Sequence, residues 1–196
     1  NTNFVGKFGN DMSRYQFINN SWIVTDTEGT VYRFGENQSA LQSDPQTPTH
    51  IFQWMLESAT DTRGNKIEYS YFSDNNQIYL NSIRYSFLSP DFPLYEIRFS
   101  YTKKTSSSTS YLTQFPVATN YLLTELGVYE YSNQSASLAR QYLFSYNTLF
   151  DPHSHLTSIT EQAGSISLPL ITFTYHESAA SARLLLTINN NRGGTI

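Results

Sequence analysis

The sequence predicts an all-β protein made of antiparallel hairpins, with little helix. Three observations predict it. Apolar and polar residues alternate with a period of two along several segments. The composition suits strands, with 15 Tyr and 13 Phe in 196 residues and aromatics at 15%. Turn signatures of the form Asp-x-x-Gly stand between alternating runs.

Taken in chain order, strands are expected at 22–25 and 31–34, joined by Asp26-Thr27-Glu28-Gly29. Asp at the first turn position caps backbone amides and Gly at the fourth accepts positive φ. Residues 36–49 are polar, hold two Pro and read as a long exposed loop. In 51–59, Ile51, Trp54, Met55 and Ser58 also fit helical spacing; a strand is favoured because the run ends in the second turn, Asp61-Thr62-Arg63-Gly64, and leads into another strand. That strand, 66–72, alternates Ile67, Tyr69 and Tyr71 with Lys66, Glu68 and Ser70, which reads as a half-buried strand with its polar set toward solvent. Further strands are expected at 79–87, 95–101, 121–131, 139–146, 156–160, 170–175 and 184–188. Lys103-Lys104-Thr105-Ser106-Ser107-Ser108-Thr109-Ser110 reads as a second exposed loop. The two Asp-x-x-Gly turns form a weak internal repeat. Strand signals continue past both polar stretches, so residues 1–196 read as a single all-β unit.

The net charge is −4, and twelve basic residues are scattered singly apart from Lys103-Lys104. Such a chain offers no electrostatic footprint for a phosphate backbone, so nucleic acid is not an expected ligand. No apolar run approaches the roughly 20 residues of a membrane span. With no Cys, disulfides, thiolate catalysis and Cys-ligated zinc are excluded.

Candidate chemistry is sparse. Asp151-Pro152-His153-Ser154-His155 is the one cluster of metal-ligand character, since His-x-His on a strand points both imidazoles to one face near a carboxylate. Asp-Pro marks a turn and no further ligand is evident, so a loop with two solvated histidines is the favoured reading. His50 and His176 stand alone as strand-end or surface residues. No Gly-x-Ser-x-Gly elbow precedes a helix. Glu57, Asp61 and Glu68 are close enough in sequence to consider as a glycosidase pair, but Asp61 has a turn role and Glu68 falls opposite Tyr69, on the solvent side. Gly193-Gly194 lacks the following helix that a phosphate loop needs and reads as a turn or bulge. No catalytic set and no cofactor are expected.

Several motifs nevertheless stand in one order. Trp22-Ile23-Val24 comes first, then Gly29-Thr30-Val31-Tyr32-Arg33-Phe34-Gly35. Trp54-Met55-Leu56 follows and leads to Asp61-Thr62-Arg63-Gly64-Asn65-Lys66-Ile67-Glu68-Tyr69-Ser70-Tyr71. Downstream stand Tyr79-Leu80-Asn81-Ser82-Ile83-Arg84-Tyr85, Arg140-Gln141-Tyr142-Leu143-Phe144-Ser145-Tyr146 and Leu156-Thr157-Ser158-Ile159. Leu168-Pro169-Leu170-Ile171-Thr172-Phe173-Thr174-Tyr175 closes the series. Over 21–175 this series resembles the SpvB-type N-terminal domain of Salmonella virulence plasmid B proteins and insecticidal toxin complex B subunits.

The resemblance implies a large twisted or curved sheet, a segment of the β-shell that related Rhs and YD-repeat proteins build from hairpins joined edge to edge. It implies a non-catalytic structural role in a secreted or cell-surface bacterial protein that encloses a C-terminal effector. The implied partners are the remainder of the same shell or a partner shell subunit, and the enclosed effector. The ADP-ribosyltransferase and the self-cleaving aspartyl protease of such proteins lie in other domains, so neither activity carries over. The chain reads as starting inside the family domain, with 183–196 as the start of the next shell strand and no room for the β-propeller that often follows. Tyr suits a wall of this kind, because its ring contributes buried area while its hydroxyl tolerates a wet face. The alternative is a surface β-module that binds glycan or a partner protein through Tyr-rich faces and the two polar stretches. An enzymatic reading would need the histidine pair to hold metal.

Overall fold

The computed structural model describes residues 2–5, 12–147, 154–176 and 184–193. The strands are β1 (Thr2–Val5), β2 (Arg14–Ile18), β3 (Ser21–Thr25), β4 (Val31–Phe34), β5 (Leu41–Ser43), β6 (Ile51–Trp54), β7 (Leu56–Thr60) and β8 (Lys66–Asp74). They continue as β9 (Gln77–Ser89), β10 (Phe92–Ser110), β11 (Val117–Ser132), β12 (Ser135–Asn147), β13 (His155–Ala163), β14 (Ile166–Ser167), β15 (Ile171–Tyr175) and β16 (Leu185–Asn189). One turn of 3-10 helix, Gln38–Ala40, is the helical element among the described residues. Fourteen strands form one sheet, in the order β1-β2-β3-β4-β7-β8-β9-β10-β11-β12-β13-β15-β16 with β14 on β13, and β5 and β6 form a separate ribbon. The described pairings are antiparallel.

Short turns join the strands, as antiparallel pairing allows. Asn19-Asn20, Asn75-Asn76 and Asn133-Gln134 each hold two successive positive φ angles, between 46° and 65°. Two left-handed residues in a row define the type I′ hairpin turn, and Asn is among the few residues that tolerate it.

The chain divides into two compact units. The first comprises Asn1–Glu96, Thr109–Thr119 and Tyr131–Ser135, the second Ile97–Ser108, Asn120–Glu130 and Ala136–Ile196. The buried apolar residues, Ala40, Ile78, Tyr79, Phe115 and Val117, all belong to the first unit. Among the described residues the second has none, and no large side chain of either is fully buried.

Several expectations are corrected. The run 36–49 is no exposed loop: it contains the 3-10 turn and β5, and Ala40 within it is 0% exposed. Apolar Ala40 and Leu41 drive this stretch inward, and its Met55 N–H to Ala40 C=O bond of 2.8 Å fastens it to the chain between β6 and β7. The run 51–59 is two strands broken at Met55, which serve different sheets. The Ser/Thr-rich run 103–110 continues the 19-residue strand β10; without Gly or Pro to interrupt it, Thr and Ser extend a strand already begun. In β8 the polar set does not face solvent as expected, and Tyr69, Ser70 and Tyr71 are all half-buried. Ile67 is 38% exposed, while the Glu68 side chain is 23% exposed between Lys66 at 2.5 Å and Arg84 at 3.1 Å. Buried Ser58 and Ser82 flank the same polar face, because the 3-10 turn packs against β8.

Candidate functional site

The two Asp-x-x-Gly turns share one bonding scheme. Asp26 Oδ1 accepts the Glu28 and Thr30 N–H groups at 2.9 Å each, and Asp61 Oδ1 accepts those of Arg63 and Asn65 at 2.9 and 2.8 Å. In both, the Gly N–H returns to the Asp carbonyl at 3.1 Å, with φ of +87° at Gly29 and +85° at Gly64. The second carboxylate oxygen takes the Tyr32 hydroxyl in the first turn and Asn65 Nδ2 in the second, at 3.1 and 2.7 Å. Partial desolvation raises the Asp26 pKa, but hydrogen bonds from the Thr30 N–H, the Tyr32 hydroxyl and the Glu28 and Gly29 N–H groups outweigh it and hold the group below the usual carboxylate range. The Asn65 side-chain hydrogen bond does the same for Asp61 against its own desolvation. These carboxylates are turn locks, with their lone pairs engaged.

Glu57 is the residue that sequence reasoning placed least well. Arg33 pairs with Ser58 and Phe34 with Leu56, which leaves Glu57 as the extra residue of a β-bulge in β7. It is 9% exposed and accepts the Glu36 N–H, the Asn37 N–H at 3.0 Å and Asn37 Nδ2 at 2.5 Å. A buried carboxylate with three donors is satisfied. Glu57, Asp61 and Glu68 therefore form a clamp, a turn and an ion-pair centre, three separate roles.

Gly35 leads the chain out of β4 beneath an aromatic cluster. Its φ is +66°, and an added Cβ would collide with Trp54 and Leu41. Trp54 meets Trp22 edge-on at 6.3 Å and Phe17 at 6.1 Å. Trp22 also meets Phe17 at 4.8 Å and Phe4 at 5.4 Å. The Trp54 indole N–H donates to the Asn20 carbonyl at 2.6 Å, tying the β5–β6 ribbon to the β2–β3 turn. Tyr85 stacks on Tyr95 at 5.4 Å.

A second repeat, which sequence reasoning missed, runs through the remaining motif tyrosines. In β8 and β9, Tyr69 pairs with Ile83 and Ser70 with Ser82; after a bulge at Asn81, Tyr71 pairs with Leu80. In β12 and β13, Phe144 pairs with Ile159 and Ser145 with Ser158; after a bulge at Thr157, Tyr146 pairs with Leu156. In β15 and β16, Phe173 pairs with Ile188 and Thr174 with Thr187; after a bulge at Leu186, Tyr175 pairs with Leu185. The module is thus aromatic-Ser/Thr-Tyr facing Leu-x-Ser/Thr-Ile.

Each of these tyrosines also reaches back to the preceding strand. Tyr71 donates to the Leu56 carbonyl at 2.6 Å, Tyr146 to Leu123 at 2.8 Å and Tyr175 to Leu156 at 2.9 Å. Burial pushes the Tyr71 phenol up to about 12 and raises Tyr146 as well. The hydroxyl pairs before the bulges bond directly at Ser70–Ser82, 2.8 Å, and Thr174–Thr187, 2.7 Å. One tyrosine side chain thereby holds three strands at each bulge. The signal was present as Tyr-Ser-Tyr, Phe-Ser-Tyr and Phe-Thr-Tyr, each followed nine or ten residues after its last Tyr by Leu.

Of the histidine cluster, Asp151 and His153 lie outside the described residues. His155 is not in a solvated loop: it opens β13, half-buried, with its ring stacked on Tyr175 at 4.6 Å. Aromatic stacking and strand pairing draw it in. His50 and His176 are exposed at strand ends, and Gly193 lies in a bend with φ +92° while Gly194 is outside the described residues. Arg140 pairs with Glu161 at 2.6 Å, opposite Tyr142. Pro169 joins Tyr142, Phe144, Ile159 and Ile171 around an open apolar cleft of about 610 Å³ in the second unit. No helix among the described residues is long and apolar enough to cross a membrane, and no group of three His, Asp or Glu among them is placed to hold a metal ion.

Comparison with known proteins fits this geometry. The chain is 35% identical over 54 residues to the mono(ADP-ribosyl)transferase SpvB of Salmonella typhimurium, a match of 28% of this chain and 9% of that protein. It therefore spans a small part of the curated relatives it matches. Among solved structures, the N-terminal domain of effector protein SpvB from Salmonella typhimurium strain LT2 superposes with a TM-score of 0.70 at 17% identity, covering 81% of this chain and 67% of that one. The toxin complex TcdB2-TccC3-Cdc42 gives 0.73 at 17% identity, over 89% of this chain and 12% of that one. The Photorhabdus luminescens Tc holotoxin pore gives 0.70 at 17%, over 84% and 11%. At this identity the structures share a fold. The family model described as Salmonella virulence plasmid 65kDa B protein matches residues 10–158, about three quarters of the chain, and the chain belongs to that SpvB family.

Proposed function

We propose that this chain is a non-catalytic wall segment of a toxin-like β-shell in a secreted or surface-displayed protein, joined edge to edge to further strands and enclosing an effector. One observation carries the reading: among its described residues the second unit lacks the core that a self-contained β domain buries between layers. The second unit holds no buried apolar side chain among its described residues. A sheet of this kind is held by cross-strand pairs at about 0.2–1 kcal/mol each, and the bulge modules supply them. The engaged carboxylates support a role without catalysis, and the likeness to toxin complex structures containing TcdB2 and TccC3 supports a shell partner.

The test is the structure of the whole parent protein by electron microscopy. The outer edges of β1 and β16 should both be hydrogen-bonded to strands beyond this chain, around a cavity that holds a separate polypeptide. A closed rim, or turnover of a substrate by the purified chain, would overturn the proposal. Saccharide binding lost on substituting surface tyrosines would favour a recognition module.

A further inference from the structure

The bulge module runs to the end of the sheet. Strand β16 closes the strand order and pairs, among the described residues, with β15. It carries Leu185-Leu186-Thr187-Ile188, the same facing half-module as Leu156-Thr157-Ser158-Ile159 in β13. In β7 the related Leu56-Glu57-Ser58-Ala59 holds the same place. Beyond two of these half-modules, those of β7 and β13, the next strand docks in the same way. Beyond β7, Glu68 pairs with Ser58 and the Tyr71 hydroxyl reaches the Leu56 carbonyl. Beyond β13, Thr172 pairs with Ser158 and the Tyr175 hydroxyl reaches the Leu156 carbonyl. The offset from paired residue to tyrosine is the same in both, so continuing either ladder by two residues sets the hydroxyl residue, Ser70 or Thr174, opposite the Leu.

We propose that the outer edge of β16 is a docking site for an antiparallel strand carrying aromatic-Ser/Thr-Tyr, with the Ser or Thr opposite Leu185 and the Tyr hydroxyl donating to the Leu185 carbonyl. A carbonyl oxygen has two lone pairs, so it takes a hydroxyl in addition to a ladder bond. The edge is built to be covered. Leu184, Leu185 and Leu186 are 59, 47 and 53% exposed, and Leu185–Asn189 contains neither the charge nor the Pro by which edge strands repel neighbours. The strand supplies affinity through main-chain bonds, and the tripeptide supplies register and selectivity. This inference rests on the proposed wall role and names what the wall recognises at this edge.

The test uses the 196-residue chain and a peptide of residues 66–74, Lys-Ile-Glu-Tyr-Ser-Tyr-Phe-Ser-Asp, compared with the same peptide carrying Tyr71→Phe. Binding is followed by amide hydrogen exchange and by titration. The expected result is slowed exchange in β16 and an affinity about fivefold weaker for the Phe peptide, the worth of one hydrogen bond of this kind. Equal affinity of the two peptides overturns the tyrosine recognition while leaving edge docking and the wall role intact. Protection confined to β1, or pairing of β16 with β16 of a second copy, also overturns it. Binding of neither peptide counts against the adhesive edge itself and so against the wall role.

Discussion

The Tyr71 hydroxyl donates to the Leu56 carbonyl at 2.6 Å, and the two residues flank successive bulges, Asn81 across from Tyr71 and Glu57 beside Leu56. A bulge bends its strand and sharpens the local twist. Left alone, it also loosens the ladder by one residue. The tyrosine bond spans that weak point and couples one bulge to the next, so each bend is held in place.

Replacing Tyr71 by Phe should therefore lower stability by about 1 kcal/mol, the usual net worth of such a bond. A urea titration at neutral pH measures it. The pH dependence tests the burial of the hydroxyl, which is what raises its pKa. The folded pKa of Tyr71 is raised to about 12 from 10, so its contribution is full below pH 10 and is lost as pH rises through 12. The wild type should lose stability over that window more steeply than Tyr71→Phe. Parallel curves would mean that burial does not hold the phenol neutral over this window.

The Asp turns make the opposite prediction. The pKa values of Asp26 and Asp61 are held below 3.8 in the folded chain, so their contribution is full above the unfolded value and lost as pH falls through the lowered folded one. In thermal scans from pH 6 to pH 2, a double Asp26→Asn, Asp61→Asn variant should show a shallower acid decline than the wild type. Asn keeps an oxygen acceptor for the turn amides, so the variant should still fold at neutral pH. An unchanged acid slope would show that other groups govern it.

Two glycines test how much of a left-handed turn is backbone and how much is space. Gly64 has φ +85° and open surroundings, whereas Gly35 has φ +66° with Trp54 and Leu41 against its Cα. Gly64→Ala should cost about 1 kcal/mol from the positive φ alone. Gly35→Ala adds overpacking and should cost about 2–4 kcal/mol, and it should shift Trp fluorescence because Trp22 and Trp54 are edge to face at 6.3 Å. Equal costs at the two sites would refute the steric account.

How much of this was legible follows from the distance over which each signal acts. The Asp26 and Asp61 turns were readable because their backbone donors and acceptors lie within five residues. Strand identity was readable wherever apolar alternation was strong, as in 95–101. Which face is covered was not, since Glu68 lies inward only because Arg84, sixteen residues on, and the distant 3-10 turn meet it there. Polar composition misled at 36–49 and 103–110 for the same reason: Ala40 and the length of β10 are decided by partners elsewhere in the chain. The place of Glu57 was not legible either, since a bulge turns it onto the Glu36 and Asn37 amides some twenty residues back. The tyrosine module escaped because its halves lie on different strands, and only pairing brings Phe173 to Ile188 or Tyr71 to Leu80.

The last prediction concerns association. A strand edge that is unpaired among the described residues and carries exposed leucines templates pairing with other chains. Sedimentation velocity should show the 196-residue chain self-associating as its concentration rises. Leu186 is the bulge residue of β16 and is 53% exposed, so Leu186→Lys places a charge on the rim while removing little packing. Its effect on unfolding should stay within about 0.5 kcal/mol, as for exposed positions generally, yet it should shift the chain toward monomer. A wild-type chain that stays monodisperse at high concentration would mean that the edge is not adhesive. A Lys variant that associates as before would assign association to another surface, such as β1 or the apolar cleft beside Pro169.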